Sequence, residues 1–491
     1  MIEHFKRLSQ QTLIYGLGDV IIKAIAFILI PLYTRKLALI EYGELALLQA
    51  IEVALPIILS FGFNSAILKV VNDYESESEK KQVISTALIF IFMTALPVVV
   101  LLIAFSRQLA LLIEFSSIDK YTLYLQMTFG TVFFNLFRLI ALAVLRVYER
   151  GIAFSVINII HFTTLVGLNI LNVAILDKKL AGVIQSSFFT SIIIGVLVTI
   201  AIFRRLSFSF SRKNLKELFS FGLPLVPGGL ANWTLTLADH YLLKFISDAE
   251  QVALYNIGLK FGMIVNMLLV HPFRTAWLPF IFSIQHDKHA KRIYATTFTY
   301  YMVLGLLLCL FLSVLAREIV TLAAAEKYLP GYRVIPLIAI SYLFYGIYYT
   351  VDVGVLLTAK TGIYAIISWI GAMLDLVLAF VLIPPLGMMG AGLAKLLSFL
   401  ALAVIMYFFS QRFYPIKYET RRISRVIIFA GVIYISSLFV QFDFIGLNIA
   451  VKLMLILLFP IALVISGFFT TKEKEIALNF IKKRFKLGAR F

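Results

Sequence analysis

The sequence predicts an all-α polytopic membrane protein. Its 14 transmembrane helices form two parallel six-helix lobes around a central cavity, plus two extra C-terminal helices. Three observations lead there. Of the 491 residues, 61% are hydrophobic and only 14% charged, and the mean hydropathy is +0.96; soluble chains carry roughly a quarter charged residues. Fourteen apolar stretches are each long enough for a ~30 Å hydrocarbon core, which takes about 20 residues. Two segments some 210 residues apart also echo each other. The composition excludes an ordinary water-soluble enzyme, a disordered chain and a small secreted scaffold.

The stretches fall near 12–34, 42–68, 83–105, 122–145, 153–176, 180–203, 219–245, 252–281, 294–316, 333–358, 362–383, 388–410, 423–441 and 446–469. In hydrocarbon every backbone polar group needs an internal partner, so these are helices. The alternating ten-residue pattern of a membrane barrel is absent from the sequence. Lys6 and Arg7 precede the first stretch, which is too long for a signal-peptide core and lacks a convincing cleavage site, so it reads as an uncleaved first helix.

The net charge of +18 rests on 44 Lys+Arg against 26 Asp+Glu. With the N-terminus in the cytoplasm, 28 of the cations fall on cytoplasmic segments and 10 on the opposite side. That asymmetry is the positive-inside signal and predicts both termini in the cytoplasm. The basic loops follow membrane topology, so they do not indicate a nucleic-acid partner.

Residues 151–189 and 362–399 align with a one-residue gap: Gly151 with Gly362, Ala181-Gly182 with Ala391-Gly392, Phe189 with Phe399. An offset of six helices preserves orientation, as in parallel-repeat transporters. The predicted organisation is an N-lobe over 1–203, a linker over 204–218, a C-lobe over 219–410, an added helix pair over 411–471 and a basic cytoplasmic tail over 472–491. The linker reads as an amphipathic surface helix or as a basic loop.

Six cations remain inside predicted helices: Lys23, Arg138, Lys260, Arg274, Lys395 and Lys452. An ionisable group near the bilayer centre costs on the order of 3 kcal/mol, so it faces protein or a water-filled cavity. Asp19 and Lys23 share one helix face, as a local ion pair or as a polar lumen wall. Glu52 has no cation within a turn and reads as lumen-facing, either protonated or paired with Lys23 across the hairpin. Arg138 lies too deep to snorkel easily, whereas Lys452 reads as a snorkelling anchor. Lys260, near the outer end of its helix, and Arg274, toward the cytoplasmic end, are cavity groups or snorkel to the interface. Asp375 offers a proton or cation site or a partner for Lys395. Pro224, Pro227, Gly228 and Gly229 form the best hinge candidate, the alternative being a static kink or close packing. Trp233 and Trp277 offer aromatic faces to a cavity or belong to the interfacial belt.

Three motifs carry a family resemblance: Tyr33-Thr34-Arg35 with Glu41-Tyr42-Gly43; Asp239 with Leu242, Leu243, Leu254 and Tyr255; and the stretch from Leu382 to Phe399. With the helix count and the repeat, the chain resembles Wzx-type polysaccharide flippases of the multidrug/oligosaccharidyl-lipid/polysaccharide exporter superfamily. The resemblance covers most of helices 1–12. It implies translocation of an undecaprenyl-diphosphate-linked oligosaccharide (an O-antigen, capsule or exopolysaccharide repeat unit) to the outer leaflet of the bacterial inner membrane. It also implies membrane lipid, a polysaccharide polymerase and a chain-length regulator as partners. On that reading, Lys23, Glu52, Arg138, Lys260, Arg274, Trp233 and Trp277 bind substrate. Asp19, Glu52, Asp239 and Asp375 are the candidates for ion coupling. The family often places Asn near the position of Asp375, so a carboxylate there is a departure.

The alternatives are a MurJ-type lipid II flippase and a multidrug or cation antiporter of the same superfamily. No phosphate-gripping loop motif is present, so no nucleotide is expected. Cys309 is the sole cysteine and the histidines show no ligand spacing, so no cofactor and no metal are expected, and the protein is not read as an enzyme.

Overall fold

The computed structural model describes residues 27–358, 360, 362–470 and 473. Asp19, Lys23, most of the first expected helix and most of the basic tail lie outside the described residues. Among the described residues every regular element is helical, with no strand.

In chain order the helices are α1 Leu29–Lys36, α2 Leu39–Asp73, α3 Glu77–Ala104, α4 Ile118–Val147, α5 Gly151–Ile175, α6 Lys179–Ile202, α7 Arg212–Gly222 and α8 225–246. Then follow α9 Ala249–Ile284, α10 Ala290–Val314, α11 Glu326–Leu357, α12 Gly362–Leu386, α13 Met388–Phe413, α14 Thr420–Leu438 and α15 Ile445–Ile465. Eleven of these, α2–α6, α9–α13 and α15, are long and apolar enough to cross a membrane. The chain is therefore a multi-pass membrane protein, although the described residues do not reach the expected count of fourteen. The shortfall has physical causes. Only the end of the first span is described, as α1. The expected seventh span is helical, as α8, but carries Asn232, Thr234, Thr236, Asp239 and His240. The thirteenth, α14, opens with Arg421, Arg422 and Arg425.

The two repeat segments have matching local structure. α5 and α12 are 25 residues each. Both end in a turn that needs left-handed backbone, at Asp177 and Lys179 in the first copy and at Gly387 in the second. Glycine adopts that conformation without strain, and Asp tolerates it better than most residues. The linker is non-helical from Leu206 to Ser211, where Ser207 N donates to Ser85 Oγ at 2.9 Å and Ser211 N to Thr86 Oγ1 at 3.1 Å. It becomes helical at α7, capped by Ser211 Oγ, which accepts from Asn214 N at 3.3 Å.

The chain forms two compact units. The first comprises Met1–Leu259, Val320–Val334 and Thr361–Leu402; the second comprises Lys260–Ile319, Ile335–Lys360 and Ala403–Phe491. Within the first unit, the segment at 325–328 is tied to the end of α1 and the start of α2. Ala325 N donates to Thr34 Oγ1 at 3.2 Å, Lys327 Nζ to the Leu37 carbonyl at 2.6 Å, and Tyr328 packs edge-on against Tyr42. α2 and α9 meet at Gly43, where a Cβ would overlap the backbone carbonyl of Ala249. The second unit is organised by an apolar cluster that includes Leu310, Val426, Phe459 and Leu463. There Lys452 does not snorkel. It is 8% exposed and its Nζ lies 2.6 Å from Oε1 of Glu318, on the helix Ala316–Ala323.

Candidate functional site

A cavity of about 430 Å³ opens in the first unit between α2, α4 and α8. Its apolar walls come from Val53, Ile57, Leu139, Leu225 and Val226; its polar groups are Glu52, Ser60, Asn64, Ser65, Asn135 and Arg138. Two features of α2 shape it. Pro56 sits inside the helix and has no N–H for the carbonyl of Glu52, one turn back. The helix is then interrupted at Phe61 and Gly62, with φ of 50° and 71°. Gly62 needs both its conformation and its lack of a side chain, since a Cβ there would strike the backbone of Gly222 at the end of α7. α7 is also held by Tyr74, whose hydroxyl donates to Glu217 Oε2 at 2.9 Å and contacts Asn214 Oδ1 at 3.2 Å. Partial burial and then the Glu217 carboxylate raise the Tyr74 hydroxyl above its ordinary value.

Among the described residues, Arg138 is the only cation lining this cavity. Its Nε donates to Asn135 Oδ1 at 3.2 Å, one helical turn away, which orients the guanidinium. No carboxylate pairs with it among the described residues. A planar guanidinium with open N–H groups accepts a phosphate or carboxylate in bidentate geometry. Asn64, Asn135, Ser60 and Ser65 add neutral donors and acceptors of the kind that read hydroxyls. Glu52 also has no cationic partner among the described residues.

Of the residues expected at a site, the fold brings Glu52 and Arg138 together. It adds Asn64, Ser65 and Asn135, which carry no charge to mark them in an apolar stretch; the signal for Asn64 and Ser65 was polarity beside the left-handed break at Phe61-Gly62. Of the hinge candidates, Gly229 lines the same cavity. Pro224 and Pro227 do not interrupt a helix: α8 starts at Leu225, so Pro224 is its N-cap and Pro227 lies in its first turn, where a missing N–H costs little. Gly229 faces Ile57, whose Cγ2 would lie 2.8 Å from an added Cβ, while Gly228 faces open space.

The other candidates lie elsewhere. Trp233 Nε1 donates to the Ala50 carbonyl at 3.0 Å, and Tyr241 to the Leu47 carbonyl at 2.9 Å, so both fasten α8 to α2. Lys260, Arg274 and Trp277 belong to the second unit and do not line this cavity. Arg274 lies over the Tyr349 ring, 3.9 Å from its centroid. Trp277 is 4% exposed and stacks between Phe273 and Phe280 in an apolar cluster. Asp239 and Asp375 form a separate buried group in the first unit. Lys395 pairs with Asp239 Oδ2 at 2.8 Å, and Asp375 lies next to both.

The family model described as polysaccharide biosynthesis protein matches residues 8–285. Among solved structures, the chain is similar to the lipid II flippase MurJ in an inward closed conformation, with TM-score 0.69 and 16% identity over 94% of this chain and 98% of that one. It is also similar to an inward-facing multidrug resistance MATE family transporter of the MOP superfamily, with TM-score 0.67 and 12% identity over 83% and 97%. A point mutant of the Vibrio cholerae MATE transporter VcmN matches with TM-score 0.57 and 15% identity over 83% and 96%. These likenesses give the fold. No curated protein matches the sequence.

Proposed function

The chain belongs to the polysaccharide biosynthesis protein family, and from that premise we propose that it flips an undecaprenyl-diphosphate-linked oligosaccharide from the inner to the outer leaflet of the bacterial cytoplasmic membrane. Both termini then face the cytoplasm, and the substrate is moved rather than chemically changed. The observation that carries this reading is the cavity around Arg138. A diphosphate must cross hydrocarbon, and a guanidinium beside neutral amides and hydroxyls offsets its charge while leaving groups for sugars. Lys260 and Arg274 are proposed as further cationic contacts during the cycle, with the repeat-related lobes 1–203 and 219–410 as the moving parts. The substrate's apolar tail stays in lipid.

A cavity whose cation has no carboxylate partner among the described residues favours a lipid-linked substrate over a drug cation. Complementation tests the proposal. The gene should restore surface polysaccharide in a strain lacking its own flippase of this class. Drug efflux without such restoration would place the protein with the antiporters, and rescue of a strain lacking its lipid II flippase would assign the peptidoglycan precursor instead.

A further inference from the structure

α8 changes its winding just before Asp239. Residues Thr234–Ala238 form a π-helical turn, a local widening that shifts backbone carbonyls away from their usual partners. Leu235 is one of these residues, and its carbonyl accepts from Lys395 Nζ at 2.6 Å. The same ammonium lies 2.8 Å from Asp239 Oδ2. Lys395 is 0% exposed and Asp239 1%. Asp239 takes two more donors. The Tyr255 hydroxyl from α9 bonds to Oδ2, and His240 Nδ1 lies 3.1 Å from Oδ1. That ring nitrogen also lies 3.1 Å from the Leu237 carbonyl; both neighbours are acceptors, so Nδ1 carries the hydrogen. Asp239 is thus a fully satisfied carboxylate whose charge is matched by one ammonium.

α12 brings a second carboxyl to the group. Asp375 is 2% exposed, and its Oδ2 has no hydrogen-bond partner among the described residues. Lys395, Asp239 and the Ser398 hydroxyl lie around it. The titratable groups of the cluster are therefore Asp239 and His240 from α8, Tyr255 from α9, Lys395 from α13 and Asp375 itself. With the His240 ring neutral, one ammonium cannot neutralise two buried carboxylates, and a buried carboxylate oxygen without a donor is strongly disfavoured. A proton on Asp375 removes the surplus charge.

We propose that Asp375 is a proton-binding site of the transport cycle and that Lys395 is a tethered internal cation exchanged between Asp239 and Asp375 as that proton leaves and returns. This deepens the flippase reading and rests on it for its role in transport. The arrangement observed has the ammonium on Asp239 and Leu235; on this proposal it is the state in which Asp375 holds the proton. When the proton leaves, the new carboxylate draws Lys395 away, and the π-helical turn loses its tie to α13. The lysine keeps its own three protons throughout, so one proton enters and one leaves per cycle. α8 transmits the change because its other end, at Leu225, Val226 and Gly229, is a wall of the Arg138 cavity.

Infrared difference spectroscopy on the purified full chain tests the site without any substrate. Raising the pH should remove a carboxylic-acid C=O band that is sensitive to deuterium exchange. Asp375→Asn should lack that band. Lys395→Met should enlarge it, because Asp239 then also needs a proton. A wild-type spectrum without the band, or its persistence in Asp375→Asn, overturns the proposal; the wild-type measurement decides even where a variant fails to fold. In liposomes, a fluorescent undecaprenyl-diphosphate-linked glycan is the transport probe. A pH gradient should accelerate its movement by wild type, with no such response to a sodium gradient, and the ratio of rates with and without the pH gradient should fall to unity in Asp375→Asn. Acceleration by sodium alone overturns the coupling role. If the probe does not move at all, the flippase reading fails, and the infrared result still decides the proton site.

Discussion

Trp233 donates its indole N–H to the backbone carbonyl of Ala50 at 3.0 Å, so an aromatic residue of α8 is spent on fastening that helix to the middle of α2. Tyr241 repeats the contact two turns further on, at the carbonyl of Leu47 and 2.9 Å. Both helices also wall the Arg138 cavity. Trp233→Phe and Tyr241→Phe should each lower stability by about 0.6 kcal/mol, and by no more than about 1.7, the range for hydrogen bonds between membrane helices. Thermal denaturation in detergent measures this. A drop near zero in both would mean that packing alone holds the pair.

Arg138 should behave as a ligand-facing group. Removing one charge-assisted partner forfeits about 1.5–3 kcal/mol, or roughly 10- to 100-fold in affinity. Arg138→Ala should therefore reduce translocation by at least about tenfold at equal membrane insertion, while Arg138→Lys keeps the charge but loses the bidentate fork and falls between the two. Asn135→Ala should give a smaller loss, because it removes only the 3.2 Å bond that orients the guanidinium. Rates in proteoliposomes, normalised to folded protein, check all three.

Glu44 is 0% exposed and accepts from Ser116 N at 2.6 Å and from Ser116 Oγ at 2.8 Å. It joins α2 to the turn before α4 and does not line the Arg138 cavity. Glu44→Ala leaves a buried backbone N–H and a hydroxyl without their acceptor, which costs about 1–3 kcal/mol for each unsatisfied group. The expected outcome is a clear loss of thermal stability, with transport by the surviving folded fraction unchanged. Glu44→Gln should recover part of the stability, since its amide oxygen still accepts one bond.

Lys452 and Glu318 give a test by double-mutant cycle. Breaking a buried ion pair by removing one partner costs about 3–5 kcal/mol, whereas replacing both can be neutral. Lys452→Met alone should destabilise strongly. Lys452→Met combined with Glu318→Gln should recover most of the loss in a denaturation assay. Equal instability of the single and double variants would show that the 2.6 Å contact contributes little.

Gly43 tests the approach of α2 to α9. A Cβ at that position overlaps the Ala249 carbonyl, and backbone cannot move aside as a side-chain tip can. Gly43→Val should therefore push the two helix starts apart and lower thermal stability by about 1–3 kcal/mol, the usual range for overpacking. Gly228→Ala, at a position facing open space, should be neutral or slightly stabilising.

Much of this protein was legible before any coordinates. Hydropathy identifies a multi-pass helical chain because lipid offers backbone groups no other partner. The three motifs and the parallel repeat pointed to the superfamily, and the matching family model covers residues 8–285. Charge in an apolar stretch marked Glu52, Arg138, Asp239, Asp375 and Lys395 as residues needing an explanation. Which explanation applies was not written in the chain. Charge counts along the sequence do not say which faces of α2, α4 and α8 enclose space, so Asn64, Ser65 and Asn135 stayed hidden among neutral residues. Nor do they pair partners far apart in sequence. Lys395 meets the Leu235 carbonyl across 160 positions, and Lys452 meets Glu318 across 134.

The sequence by itself determined the solvent of each segment, the helical character of the spans and the family, because these depend on composition, period and local motifs. Only the tertiary structure decided what each embedded charge does. A lysine in hydrocarbon must find an oxygen, and whether that oxygen is water, a carboxylate or a carbonyl freed by a π-helical turn depends on helix packing. That packing separates Arg138, oriented and lining a cavity, from Lys452, consumed by a buried ion pair, and from Lys395, held between a carboxylate and a backbone carbonyl.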